Sequence, residues 1–295
     1  MHIIDLAYVG LGIHEELVAY VADQQNFYEQ EGVHVSLRDG RAWDSERVRG
    51  AATIGLGRAV LSRVTDGIPW TVLCVNTDRP LFWLLARDVC PSVEELKGRR
   101  IGIHPPKTAP GCFSRIVLRR LGLDPDRDVQ SVVMAPGDYS RHLRRLAEGS
   151  LDAAFVGSTL APEVTAQENG LRLLAFVGDY FRIPTVGVAV DPTRIAPDDP
   201  AVLALVRATR RALRTICDEP DLAARYVNAL IPSLSETQAR QFYERYVAPY
   251  FTAEGRHDPS VGAQAVSDVA EELGMSTVPD AAGIYRTEPA DSSAA

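Results

Sequence analysis

The chain has 295 residues, of which 46% are hydrophobic, 24% charged and 7% aromatic, with a formal charge of −8 and four cysteines. At roughly 100–200 residues per domain, this length holds two domains or one large α/β unit, and the composition excludes disordered, collagen-like and disulfide-scaffold classes. The acidic balance speaks against nucleic acid or an anionic membrane surface, which both reward clustered positive charge.

The apolar run Ile3 to Tyr8 ends at Gly10 and Gly12, as a buried strand before a turn does. Glu15 to Tyr28 shows helical spacing, Gly32 stops it, and Val33 to Leu37 alternates as a strand. Next come a strand Ala51 to Ile54, a helix Arg58 to Val64, and strands Trp70 to Val75 and Phe82 to Ala86. Such alternation predicts a sheet with parallel strands covered by helices. After Pro91 a second set follows: a short helix Ser92 to Leu96, strand Arg100 to Ile103, helix Gly111 to Leu121, strand Val129 to Met134 and helix Tyr139 to Glu148. Strand Ala153 to Val156, helix Thr159 to Glu168 and strand Leu171 to Val177 close that set. Gly98 and Gly122 sit where helix C-caps favour positive φ, and Ser92 with Glu95 fits a capping box. Pro184 to Val190 is a last strand; Pro200 to Asp218, Asp221 to Leu230, Ser235 to Tyr250 and Ser260 to Leu273 read as helices. Residues Arg286 to Ala295 read as a frayed tail.

Cys74, Cys90, Cys112 and Cys217 form neither a C-x-x-C pair nor a zinc-spaced cluster with histidine, so the expectation is no structural metal and no cofactor. The N-terminus lacks a basic start and a cleavage site, and no stretch approaches the roughly 18 apolar residues of a membrane span. The expected setting is cytoplasmic for the sequence as it stands, and periplasmic or extracellular if an export signal has been removed. Of the basic residues, 29 are arginine and only Lys97 and Lys107 are lysine, a bias that a GC-rich genome explains.

Five segments in order carry a resemblance: Asn26 to Val33 (NFYEQEGV), Thr65 to Pro69 (TDGIP), Ser92 to Gly102 (SVEELKGRRIG), Leu121 to Pro125 (LGLDP) and Leu151 to Val156 (LDAAFV). Over about residues 1–190 this resembles the type II periplasmic binding proteins of the sulfonate, nitrate and taurine branch, which also contains the yeast-type thiamine-pyrimidine synthases. The resemblance implies an α/β fold of two lobes with mixed sheets, two crossover strands and a helical C-terminal segment. It places the first lobe at 1–86 plus 186–285 and the second at 87–185, with the crossovers near Leu84 to Asp88 and Arg182 to Val186. The ligand would lie between them, beyond the strand ends.

On that layout the loop Ile103 to Ser114 is the first candidate site. Free N–H groups and partial positive charge at a helix start attract an anion, with Lys107, Thr108, Gly111 and Ser114 as further donors. The plainer reading has Thr108 and Ser114 capping the helix. Cys112 has either a lowered thiol pKa there or a small buried side chain. His14 follows the first strand as a hydrogen-bond donor or acid/base, or as an exposed helix-start histidine. Trp43 offers a flat apolar wall, Arg58 a fork for carboxylate or sulfonate, and Gly57 close backbone approach. Arg41 reads as surface. Asn76, Thr77, Ser158 and Thr159 are further cleft linings, with Thr159 alternatively an N-cap. Arg141, His142, Arg144, Arg145, Arg207, Arg210, Arg211 and Arg214 lie on amphipathic helices and read as solvated faces rather than a nucleic-acid patch.

These features predict a substrate-binding protein that closes two lobes about a hinge on a small anionic or polar organic ligand, with an ABC permease as a further partner. The alternative is a cytosolic enzyme on the same fold, pyrimidine-synthase-like or decarboxylase- or lyase-like, acting on a small aromatic or heterocyclic acid, with His14, His104 or Lys107 as acid/base candidates. Aligned on Gly67-Ile68-Pro69, the synthases' lysine falls on Gly55 and their histidine on Ala59, and Pro184 to Val190 has no cysteine, so that activity is not expected. A weaker third reading is a protein-interaction role for the C-terminal helices.

Overall fold

A computed structural model describes residues 1–10, 12–135 and 139–287. In chain order the elements are β1 (His2–Tyr8), α1 (Ile13–Gln24), α2 (Phe27–Gln30), β2 (Val33–Asp39), α3 (Ser45–Arg49), β3 (Ala52–Ile54), α4 (Leu56–Asp66), β4 (Thr71–Thr77) and β5 (Phe82–Arg87). They continue with a 3-10 turn (Glu94–Leu96), β6 (Arg100–Ile103), α5 (Ala109–Arg120), β7 (Gln130–Val133), α6 (Tyr139–Ala147), β8 (Ala153–Gly157), α7 (Pro162–Glu168), β9 (Leu171–Phe176), α8 (Val177–Tyr180) and β10 (Val186–Val190). The C-terminal helices are α9 (Pro200–Asp218), α10 (Pro220–Leu230), α11 (Glu236–Phe242), running into a π-turn at Tyr243–Val247, and α12 (Pro259–Glu272).

The strands form two mixed five-stranded sheets, ordered β2-β1-β3-β10-β4 and β7-β6-β8-β5-β9. Each has four strands running one way and one antiparallel strand, β10 or β5, between the third and the last. In each case that strand arrives from the other sheet. β5 pairs with β8 and β9, so the chain leaves the first sheet between Thr77 and Phe82. β4, β8 and β10 are buried at every residue, which explains why they read as unbroken apolar runs in the sequence.

Both hydrophobic clusters run across the two sheets: one joins Leu6, Leu17 and Leu205 to Trp83 and Val156, the other Val60 and Val72 to Phe113 and Phe155. The C-terminal helices bridge the lobes. Trp83 of the second sheet packs its ring against Phe242 and Tyr246, and Phe176 packs against Tyr246 and Tyr250. On the opposite side Glu272 of α12 takes Arg115 at 2.6 Å and Arg119 at 2.8 Å from α5.

Several local expectations change. The single helix expected over 15–28 breaks at Asn26, whose φ of 54 is left-handed, so a second short helix follows. Helix α3 went unread because its five residues carry too little periodicity; Asp44 caps it by accepting the Arg47 N–H at 2.8 Å. Thr159 is no N-cap, since α7 starts at Pro162 after Ala161. His142 is buried rather than solvated, its Nδ1 being 2.8 Å from the Phe155 carbonyl. Of the expected tail, Arg286 donates its N–H to the Val72 carbonyl at 2.8 Å and Thr287 is buried; residues 288–295 lie outside the described residues. Among the described residues no helix is long and apolar enough to cross a membrane.

Candidate functional site

The loops at the C-terminal ends of β1, β3 and β4 meet those of β6 and β8 in a buried polar junction. His14, Glu15, Asn76, His104 and Ser158 are each at most 6% exposed. α1 starts at Gly12, whose side-chain-free position leaves its first turn without a cap of its own. Ser158 supplies that cap from the other lobe: its Oγ accepts the Ile13 N–H at 3.0 Å. The same oxygen lies 2.7 Å from His14 Nδ1. The Ile13 amide takes one of the hydroxyl's two lone pairs, which leaves the hydroxyl able either to donate to Nδ1 or to accept from it. A Cβ at Gly12 would overlap Ser158 Oγ, so only glycine lets the two lobes meet at this distance.

His14 Nε2 is 3.3 Å from Glu15 Oε2, outside hydrogen-bond alignment. The other carboxylate oxygen lies over Gly10, where a Cβ would come within 2.7 Å of it, and near Gly55, whose φ of 130 admits only glycine in practice. Burial holds His14 neutral, its pKa lowered to about 3, and pushes Glu15 up to about 8. Asn76, at the end of β4, donates Nδ2–H to the His14 carbonyl at 3.4 Å.

Across the junction Phe82 meets the His14 ring edge to face at 6.1 Å and Tyr139 at 6.4 Å. Tyr139 packs over Gly157 and against His104 at 5.5 Å, and His104 stacks on His142 at 5.0 Å. Burial lowers the pKa of His104, while backbone carbonyls near Met134 and Ala135 act the other way.

Of the residues singled out from sequence, the structure brings His14 and Ser158 into contact. Thr77 is buried nearby, its Oγ1 accepting the Arg79 N–H at 3.1 Å. Gly57 sits where α4 crosses α5, 2.7 Å from the Ala109 Cβ if it carried a Cβ itself. The Lys107 loop is self-contained. Thr108 caps α5, its Oγ1 accepting the Gly111 N–H at 3.4 Å and donating to the Pro105 carbonyl at 2.7 Å. Cys112 donates its N–H to the Thr108 carbonyl, and Ser114 donates to the Pro110 carbonyl at 2.6 Å. The first-turn amides of Gly111 and Cys112 are therefore occupied, a Cβ on Gly111 would run into the Pro105 carbonyl, and Lys107 points from an exposed position. Burial raises the Cys112 thiol to about 12, the reverse of activation. Trp43 is half-buried under the Arg47 guanidinium and gives its carbonyl to Arg58 at 3.0 Å. Burial lowers the pKa of Arg58. Thr159 is half-buried beside Ser158.

Glu15, Tyr139 and Phe82 were not among the sequence candidates, and Asn76 and His104 only in passing. The available signal was Gly10-x-Gly12 directly before a helix with a carboxylate in its first turn and no capping side chain. Among the described residues no group of three histidine, cysteine or acidic side chains could hold a metal.

The family described as NMT1/THI5 like matches residues 15–223. No curated protein matches the chain. Among solved structures, the alkanesulfonate-binding protein SsuA from Xanthomonas axonopodis pv. citri, bound to MOPS, superposes with a TM-score of 0.75 at 13% identity, covering 97% of this chain and 99% of that one. The ligand-binding component of an ABC-type import system from Staphylococcus aureus gives 0.70 at 11%, covering 97% of each. A desulfurization enzyme, DSZB, gives 0.68 at 15%, covering 98% of this chain and 97% of that one. All three share the two-lobed fold.

Proposed function

The chain belongs to the NMT1/THI5-like family, and on that footing we propose that it is a substrate-binding protein that closes its two lobes on a small polar organic ligand. The observation carrying this reading is the bridge from Ser158 of the second sheet to the Ile13 amide and His14 ring beside the first. A contact that ties the lobes through buried polar atoms is what a clamp needs at its closed limit. Sheet membership supports lobes close to 1–86 plus 186–285 and 87–185, with β5 counted in the second. The import-system and sulfonate-binding neighbours support delivery to an ABC permease, and with it a periplasmic or extracellular station.

The test is a thermal-shift screen over carboxylates, sulfonates, amines, pyrimidines and amino acids, with X-ray scattering on every hit. A ligand at 100 times its dissociation constant stabilises by roughly 2.7 kcal/mol, and a binder that closes also shrinks its radius of gyration. No response to any compound removes the reading.

One arrangement favours an enzyme instead: Glu15, His14 and Ser158 set carboxyl, imidazole and hydroxyl side by side, and one neighbour is a desulfurization enzyme. Turnover of an aromatic or heterocyclic acid that is lost in Ser158→Ala selects that alternative; binding without turnover rejects it.

A further inference from the structure

The donors and acceptors of the junction do not balance. Buried polar atoms are nearly always partnered, yet Glu15 Oε2 and Asn76 Oδ1 accept no hydrogen bond from any described residue. The orientation of the Asn76 amide is fixed by its neighbour: Nδ2 faces the His14 carbonyl, and a flipped amide would set two oxygens against each other. His14 therefore has one orphan acceptor beside its carbonyl and another beside its ring. The ring nitrogens of His104 are also without a hydrogen-bond partner among the described residues, which leaves one N–H on the second lobe's side of the junction, but the donors beside Glu15 are spent. The Ile13 N–H and the Ser158 hydroxyl serve each other and His14, and the Gly111 and Cys112 amides are tied within their own turn. No described arginine or lysine pairs with Glu15. An anion placed here would meet leftover oxygens; an N–H-bearing cation would fill them.

We propose that the site takes a small organic cation of the amine or amidine class, its N–H groups donated to the Glu15 carboxylate and to Asn76 Oδ1. This rests on the clamp reading above and narrows its polar ligand to a cation. The titratable groups facing Glu15 are His14 and Glu16 on its own helix, Tyr8 from β1 and Tyr139 from α6. None is a cation at neutral pH, where Glu15 holds its own proton, so a bound cation takes the place of that proton. Glu15 must then lose its proton on binding.

The probe is benzamidinium, with benzenesulfonate as the anionic counterpart of similar shape, titrated calorimetrically at pH 6.5 and 8.5 in buffers of different ionisation heat. The expected result is benzamidinium binding about 25-fold tighter at the higher pH, with close to one proton released at the lower. Glu15→Gln keeps the shape of the side chain, and it should weaken binding at least tenfold and remove the pH dependence. Benzenesulfonate binding with no benzamidinium binding overturns the inference and leaves the clamp standing. Benzamidinium binding without proton release or pH dependence overturns the role of Glu15. Silence toward both, and toward the wider screen, overturns the clamp and the inference together. If Glu15→Gln fails to fold, proton release by the unaltered protein decides the question.

Discussion

Two helices begin at the junction, α1 in the first lobe and α5 in the second, and they are finished in opposite ways. α5 carries its own cap: Thr108 Oγ1 accepts the Gly111 N–H and donates to the Pro105 carbonyl, and Ser114 donates to the Pro110 carbonyl. α1 begins at a glycine and has none, so Ser158 reaches over from the other lobe to complete it. A helix start rich in capping residues is closed to a ligand, because its free amides are already used. A start stripped of them is where another part of the molecule, or a ligand, comes in. At the Lys107 loop, where sequence suggested an anion cradle, the Gly111 and Cys112 amides are already bonded within the turn.

The largest perturbation of this contrast is Gly12→Val. Its side chain overlaps Ser158 Oγ, so the lobes cannot meet as they do; overpacking typically costs about 1–3 kcal/mol, read as a lower denaturation midpoint together with loss of ligand-induced compaction. Next is the pH profile. His14 is held neutral down to about pH 3 where the unfolded chain protonates near 6.5, so it adds stability as pH rises from 3 to 6.5. Glu15 keeps its proton up to about pH 8 where the unfolded chain loses it near 4.5, so it takes stability away from 4.5 to 8. The two cancel between 4.5 and 6.5, leaving a fall of about 2 kcal/mol from pH 6.5 to 8. Urea melts should show it in the parent and not in Glu15→Gln; an unchanged slope in the variant assigns it elsewhere. Ser158→Ala uncaps α1 and strands a buried Ile13 amide, a loss of about 1–2 kcal/mol in the same assay. Thr108→Ala should cost about 1 kcal/mol without touching affinity. Lys107→Ala, exposed and outside the junction, should move stability by less than about 0.5 kcal/mol and leave affinity unchanged; a marked loss of binding would restore the anion cradle.

The alternation of strand and helix was legible because periodicity marks each element on its own. β10 was read in place, and Gly98 and Gly122 take the positive φ their positions called for; the capping box expected at Ser92 with Glu95 is not formed, since only a 3-10 turn follows and Val93 precedes it without a side-chain cap, and the box stands instead at Ser235 with Gln238. His14 and Ser158 were both picked out, each for a local reason, as residues following a strand. Their meeting was not legible: 144 positions separate them, and nothing local states that one hydroxyl serves both an amide and an imidazole. Glu15 was passed over because an acidic residue in a first helical turn is ordinarily a solvated partner of the helix dipole. Only burial on all sides turns it into a group that holds its proton. The break at Asn26 escaped for a similar reason, since its apolar neighbours continue the helical spacing through the left-handed residue.

The scarcity of lysine has a practical side. The two side-chain amines, Lys97 and Lys107, are both exposed and both belong to the half built on the second sheet, while the 29 arginines are inert to amine-directed acylation. Once the exposed α-amine of Met1 beside β1 is blocked, a dye or a surface coupled through those two side chains tags one jaw and leaves the other bare. A quencher on an engineered cysteine in the opposite jaw would then report opening and closing as a change in brightness, from a protein whose own chemistry has already chosen the attachment points.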